Sequence, residues 1–224
     1  DSKYTLCLLD DNISSIDLTG LEIEKEIFES LKQYSNVKSF NMKNTKVVNN
    51  KVDISKEELN TIVNGILSNY SEATHIGLEG VENLNDISFV KNTKKLRGLD
   101  LRKTGVTTED ETIGLQLLNN NAPNLKVLLI SNENIDLSKI QQCINKLDSG
   151  SGSNTIFGGN DYGLVCYSNV VLKTLENCTE VTQIKMCYQS TGAFISNINL
   201  DLSKCSNLKS FIIYHVTFGI VKLP

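Results

Sequence analysis

Leu96-Arg97-Gly98-Leu99-Asp100-Leu101-Arg102-Lys103-Thr104-Gly105-Val106 carries apolar residues at its positions 1, 4, 6 and 11. Starting 29 residues later, Leu125-Lys126-Val127-Leu128-Leu129-Ile130-Ser131-Asn132-Glu133-Asn134-Ile135 repeats the frame. Ile13, Ile16, Leu18 and Ile23 fit it, as do Val37, Phe40, Met42 and Val47. Ala73, Ile76 and Leu78 fit its first part, and so do Val181, Ile184 and Met186. Leu208, Phe211, Ile213 and Phe218 complete the series, and a degenerate copy starts at Ser153 with Ile156 as its anchor. The copies start near 13, 37, 73, 96, 125, 153, 181 and 208, at spacings of 24, 36, 23, 29, 28, 28 and 27 residues. Self-similarity at a period of this size is the mark of a solenoid.

The segments between the copies read as helices. Ser55 and Glu58 form a capping box ahead of Leu59, Ile62, Val63, Ile66 and Leu67 on one helical face. Thr108 with Glu111, ahead of Ile113 and Leu117, and Ser138 with Gln141, ahead of Ile144 and Leu147, predict two more. Ile23, Ile27 and Leu31 mark an earlier helix, and Val171, Leu172 and Leu175 a later one. Each unit is then a short strand, a turn and a helix, and no single unit can bury its own apolar face. Stacking buries a continuous core between a strand layer and a helix layer. Positions 1, 4 and 6 face that core and the residues between them face out. Strands pack more closely along the coil than helices, so the coil curves with its strands inside. An ordinary α/β domain also alternates strands and helices, but it needs no 1-4-6-11 frame.

The frame resembles that of the leucine-rich-repeat (LRR) family, L-x-x-L-x-L-x-x-N/C/T-x-L. The resemblance runs from Ile13 to Phe218 and is most specific in the units at Leu96 and Leu125. It implies an α/β leucine-rich-repeat solenoid, a right-handed horseshoe with parallel strands on the concave face and helices on the convex face. Residues 1–224 then form a single domain of about eight irregular repeats. The spacing of 27 to 29 is similar to the ribonuclease-inhibitor-like and cysteine-containing subclasses. Cys178 and Cys205, each three residues before a strand's first apolar position, are placed as in the cysteine-containing repeats. Position 9 departs from the family's Asn: it holds Leu21, Thr45, Val81, Thr104, Glu133, Gln189 and Val216, of which Thr45, Thr104 and Gln189 can do similar work. The chain stops at Leu223-Pro224, inside a new turn and without a polar cap. That predicts a C-terminal truncation, with more protein or a partner over the open end, or self-association through it.

Composition sets the outer limits. Apolar residues make up 40% and charged residues 21% of 224, which argues for a folded domain. The net charge of −4 gives no overall pull toward nucleic acid, so none is expected as partner. No run reaches the roughly 18 apolar residues of a membrane span. The chain begins at Asp1 and not at Met, so the lack of a leader says nothing of secretion. Six cysteines scattered from Cys7 to Cys205, with no CxxC, read as buried free thiols in a reducing compartment. Three disulfides and a cell-surface or secreted protein are the alternative. The sites at Asn12, Asn69 and Asn177 are no more frequent than chance in an Asn-rich chain.

No catalytic, cofactor or metal residues are expected. The two histidines, His75 and His215, fall about five coils apart, without a Cys or carboxylate at ligand spacing. There is no GxxxxGK[ST], and the Gly-rich stretch from Gly150 to Asp161 lacks the lysine a phosphate loop needs.

In the resembled family the strand face is the usual binding surface. Positions 2, 3, 5, 7 and 8 place Lys38, Lys43, Arg97, Arg102, Lys103, Lys126, Lys185 and Lys209 there, against Asp17, Glu79 and Asp100. The wall thus carries +5 and the remainder −9, so a protein partner with an acidic surface is expected. Leu129, Ile212, Tyr188 and Tyr214 are further candidate contacts, with Val127 and His215 beside them; Tyr gives large area at low entropic cost. A one-residue slip would turn some of these into the core instead. The function expected is a non-enzymatic protein–protein recognition module, either free-standing or as the substrate-recognition part of a larger enzyme or effector.

Overall fold

The computed structural model describes residues 12–147, 163–166, 168–188, 198–214 and 216–224. The first coil holds β1 (Ser15–Asp17), β2 (Glu22–Glu24) and α1 (Lys25–Ser30). The second holds β3 (Ser39–Asn41), β4 (Lys46–Asn49), β5 (Val52–Asp53) and α2 (Lys56–Leu67). In the third, β6 (His75–Gly77) leads to a 3₁₀ turn at Ser88–Lys91. Next come β7 (Gly98–Asp100) with α3 (Leu117–Asn121), and β8 (Val127–Ile130) with a 3₁₀ turn at Leu137–Ile140 and α4 (Gln141–Ile144). β9 (Leu164–Cys166) precedes α5 (Asn169–Lys173) and a 3₁₀ turn at Thr174–Asn177. β10 (Gln183–Tyr188) with β11 (Ile198–Asp201), and β12 (Ser210–Tyr214) with β13 (Phe218–Lys222), end the chain.

Eight of these strands form one sheet in the order β1-β3-β6-β7-β8-β9-β10-β12, each parallel to the next. Every strand pairs with the strand of the coil before and the coil after, with no strand inserted between. That is the topology of an α/β leucine-rich-repeat solenoid. Ile16, Phe40, Ile76, Leu99 and Leu128 lie opposite one another in register. They are all position-4 residues, and all are buried in one continuous core with their position-1 and position-6 neighbours.

The register moves the sixth copy. Leu164 lies opposite Leu128, which puts the frame of that coil at residue 161. The expected start at 153 and its anchor Ile156 lie outside the described residues, as do the Gly150–Asp161 stretch, Cys7, Gln189 and His215. On its other edge Leu164 pairs with Met186, a position-6 residue, so the ladder steps by two between β9 and β10. A two-residue step keeps the same side of both strands on the core.

Two features of the frame have a structural cause. Position 11 falls on a second strand in three coils and outside any strand at Val106 and Ile135: Ile23 and Val47 pair in a small sheet of β2, β4 and β5, and Phe218 starts β13, which pairs with β11. Position 8 is a left-handed turn, at Gly20 (φ 72°), Asn44 (53°), Gly80 (78°) and Lys103 (53°). The turn aims the position-8 amide at the next coil: Gly20 N donates to Lys43 O (2.8 Å), Asn44 N to Glu79 O (2.7 Å) and Gly80 N to Arg102 O (2.9 Å). Lys103 N donates instead to Ser131 Oγ (2.6 Å).

The helices are shorter than the sequence predicts. α2 is capped as expected, Ser55 Oγ accepting from Glu58 N at 3.2 Å. Thr108 and Glu111 start no helix: Thr108 Oγ1 accepts from Asp136 N of the next coil (2.8 Å), while Asp110 Oδ1 closes a turn on Thr112 N (2.8 Å). Helix forms there only from Leu117 to Asn121. At the third box the cap is Asp136, whose Oδ1 accepts from Ser138 N (3.0 Å), two residues earlier than expected. Ile23 belongs to β2, and α1 starts at Lys25.

Two glycines predict opposite responses to one methyl group. In Gly80→Ala the added Cβ would sit 1.9 Å from Asn44 Oδ1 on a left-handed backbone, and the substitution should cost at least about 1–2 kcal/mol. Gly65→Ala, inside α2 with open space around it, should stabilise by about 0.5–1 kcal/mol. Urea melts of both variants check the pair; a stabilising Gly80→Ala would contradict the left-handed turn.

Candidate functional site

The strand wall divides into two chemically different halves. On β1, β3, β6 and β7 the outward residues at positions 3 and 5 are Ser15, Asp17, Ser39, Asn41, His75, Gly77, Gly98 and Asp100. They are polar or lack a side chain, and those of β1 and β3 are exposed or half-exposed. On β8, β9 and β10 the outward residues Val127, Leu129, Val165 and Cys187 form a second apolar cluster, each 5% exposed or less. β8 and β9 are buried on both faces, and β10 is so at Cys187. Leu129 is therefore a packing residue, a correction to its placement as an exposed contact, and Val127 shares that fate. Ile212 (39% exposed) and Tyr214 (43%) do stand out on β12, beyond that covered stretch. Tyr188 is the last residue of β10 and pairs with Cys166.

Position 5 performs a structural task. The side-chain Oδ1 of Asp17, Asn41 and Asp100 accepts from the amide two residues on, that of Thr19 (3.0 Å), Lys43 (3.1 Å) and Arg102 (3.1 Å). Each bond turns the chain off the end of its strand, as such side chains do in turns. Asn41 Nδ2 also reaches back one coil to Thr19 Oγ1 (2.9 Å). Asp100 is only 2% exposed, so it too is no surface contact.

The wall's cations fall into two rows. At position 7, Arg102 binds Asp100 through Nε (2.8 Å) and a terminal nitrogen (2.5 Å), and Glu79 at 2.8 Å. Lys43 binds Glu79 from the other side at 2.8 Å. Lys43, Glu79, Arg102 and Asp100 thus form one neutral network across three coils. At position 2, Lys38, Arg97 and Lys126 have no acid within 4.0 Å among the described residues; Lys38 and Arg97 are exposed, Lys126 half-exposed. Lys103 and Lys209 are exposed, and Lys185 is half-exposed. The basic strip read from the sequence is therefore neutralised along one margin and unpaired along the other. Between the margins His75 holds Thr74 Oγ1 at Nδ1 (3.0 Å); burial and then the nearby Arg97 keep its pKa below the ordinary value.

The helix side carries devices that the sequence does not announce. Asn60 Oδ1 accepts from Asn85 N (3.0 Å) and Asp86 N (2.9 Å) of the next coil, and its Nδ2 donates to Asn83 O (3.1 Å). Asn64 treats Phe89 N (2.8 Å) and Asp86 O (2.9 Å) alike, and Asn119 does so with Cys143 N (3.0 Å) and Lys139 O (2.8 Å). Asn145 joins Thr182 N (2.8 Å) to Glu180 O (3.3 Å). One amide side chain supplies both the donor and the acceptor that neighbouring backbone lacks. A shallow depression of about 380 Å³ lies over Asn60 and Asn64, whose amides are already spent on these bonds. At position 9, Thr45 Oγ1 bridges coils to Leu18 O (2.7 Å), while Thr104 Oγ1 bonds Leu101 O within its own coil (2.8 Å).

Cys143, Cys166, Cys178 and Cys205 are free thiols, and all four are buried, as is Cys187. Cys178 and Cys205 donate to carbonyls in the stack, Thr174 O (3.7 Å) and Leu175 O (3.4 Å). Among the described residues no helix is long and apolar enough to cross a membrane, and no group of three His, Cys, Asp or Glu could hold a metal ion.

No protein-family model matches the chain, and no curated protein matches it. Solved structures do. An internalin (inlF) from Listeria monocytogenes shares 13% identity over 87% of this chain and 51% of its own, with a TM-score of 0.44. An internalin C2 (inlC2) from the same organism shares 13% over 91% of this chain and 81% of its own, with a TM-score of 0.38. The chain spans about half the length of the first. These are loose likenesses, and the topology stands on the strand register above.

Two outcomes follow from the site's electrostatics. Burial raises Cys143, Cys166 and Cys178 to about 12, leaving about one part in 10⁴ as thiolate at pH 8. A disulfide-exchange reagent should leave these three unmodified in the native protein and modify all three in denaturant; rapid native labelling at any of them would contradict their burial. Glu79→Gln should cost about 1–3 kcal/mol, because two cations lose a buried charged partner. Lys43→Ala, at an exposed end of the network, should cost about 1 kcal/mol or less by the same urea melts.

Proposed function

We propose that this chain is a non-enzymatic protein-recognition module whose partner lies on the strand wall of the first four coils. The observation that carries the reading is the contrast along one sheet. Val127, Leu129, Val165 and Cys187 of β8 to β10 are apolar and buried, whereas Ser15 and Asp17 of β1, Ser39 and Asn41 of β3 and His75 of β6 are polar and exposed or half-exposed on the outer face. That face rests on a continuous core and on strands locked to both neighbours, so a partner meets a surface whose ordering is complete before it arrives. Its Ser, Asn and Thr groups offer hydrogen bonds, and its cations and acids set the orientation of approach. Ile212 and Tyr214 lie on the same wall at its far end and are a second, smaller contact.

Photo-crosslinking separates the two sides of the coil. A benzophenone amino acid replacing Ser39, on the strand wall, should give a discrete protein adduct in an extract of the source cells. The same group replacing Thr61, on the exposed side of α2, should give none. Equal adducts from both positions, or adducts from Thr61 alone, would remove the strand wall as the recognition surface.

A further inference from the structure

We infer that the unpaired cation row at position 2 is the seat of an extended, acidic segment of the partner protein, laid across the strands. This deepens the recognition role proposed for the same wall and rests on it. Lys38, Arg97 and Lys126 each stand one residue before β3, β7 and β8, with Thr74 filling the equivalent place before β6. Their backbone amides are held by the preceding coils: Lys38 N donates to Ser14 O (2.8 Å), Arg97 N to Thr74 O (2.8 Å) and Lys126 N to Arg97 O (2.7 Å). The row is therefore a fixed array with flexible charged ends. Neighbouring strands lie about 4.8 Å apart, so three strand steps from Lys38 to Lys126 cover about 14 Å. In an extended peptide every second side chain points the same way, and three alternate residues also span about 14 Å. The cations stand at about 0, 10 and 14 Å and carboxylates at alternate positions at about 0, 7 and 14 Å, so the outer two match and the long Arg97 side chain spans the middle difference of about 3 Å.

Two further features select this occupant. Beside the row, Gly77 and Gly98 are buried, while Ser39 and His75 are half-exposed polar groups that an extended backbone can hydrogen-bond. Across the wall, Asp17 stands exposed on β1, and Glu79 and Asp100 are buried in ion pairs with Lys43 and Arg102. A polyanion charged on all sides would find its second edge against Asp17 and cations already paired. A peptide with its acids along one edge needs only the position-2 row.

The test uses fluorescence anisotropy of the full chain with a labelled nine-residue peptide carrying Glu at alternate positions, at 50 mM salt. Lys38→Glu, Arg97→Glu and Lys126→Glu should each weaken binding at least threefold, and the triple variant at least thirtyfold. Neutral Gln variants at the same positions should fall between. Lys56→Glu, an equal charge change on α2, should bind as the wild type. Raising the salt to 200 mM should weaken the wild type more than the triple variant, because rim charges are screened. Wild-type binding by the triple variant, or an equal loss in Lys56→Glu, would overturn the seat. Tighter binding of a size-matched heparin oligosaccharide, abolished by the same three changes, would overturn the peptide in favour of a sulfated glycan. If the triple variant binds normally while the Ser39 photo-adduct persists, the seat fails and the recognition role stands.

Discussion

Each coil leaves the amides of its strand and one whole apolar face unsatisfied until the next coil is laid beside it. That shared deficit is what the rest of the structure depends on. The bond from the position-6 amide to the next coil's position-5 carbonyl recurs from Leu18 to Asn41, Met42 to Gly77, Leu78 to Asp100 and Leu101 to Leu129, always at 2.8 to 2.9 Å. The left-handed turn at position 8 repeats the arrangement one step further on. Since every coil supplies its neighbour, the stability of the array is a sum of unit and interface terms. Phe211 and Ile213 of β12 are half-buried, where their counterparts Ile184 and Met186 in β10, a strand paired on both sides, are buried.

The two sides of the coil meet the same demand with different chemistry. On the strand side the backbone itself pairs, which frees outward side chains for other tasks. On the helix side the segments are too short and irregular to align their own polar groups. Asn60, Asn64, Asn119 and Asn145 fill that gap by joining one coil to the next. The wealth of Asn is thus partly mechanical.

What was legible in the sequence follows from how local each signal is. The 1-4-6 frame is local and periodic, and it located the core residues from Ile16 to Ile130 and again Val181, Ile184 and Met186. The cap at Ser55 is local and held. The box at Thr108 failed because Thr108 spends its hydroxyl on Asp136 of the following coil, a partner no local pattern names. Leu129 was misassigned for a different reason. Val127-Leu128-Leu129-Ile130 and Leu164-Val165-Cys166 are unbroken apolar runs, the signature of strands covered on both faces, whereas the frame treats alternate residues as exposed. The neutral half of the basic strip was invisible for want of geometry: charges can be counted along a sequence, but the pairing of Glu79 with both Lys43 and Arg102 joins three coils.

The central claim is that consecutive coils are consecutive strands. Cysteine pairs test it most directly, because a disulfide needs Cα atoms roughly 4.4–6.8 Å apart and adjacent strands meet that condition where alternate strands do not. Ser15 lies opposite Ser39, and Ser39 opposite His75, all on the outer face of the sheet. The account predicts that Ser15→Cys with Ser39→Cys, and Ser39→Cys with His75→Cys, close a disulfide under mild oxidation while Ser15→Cys with His75→Cys does not. Closure of that last pair, or of none, would contradict it.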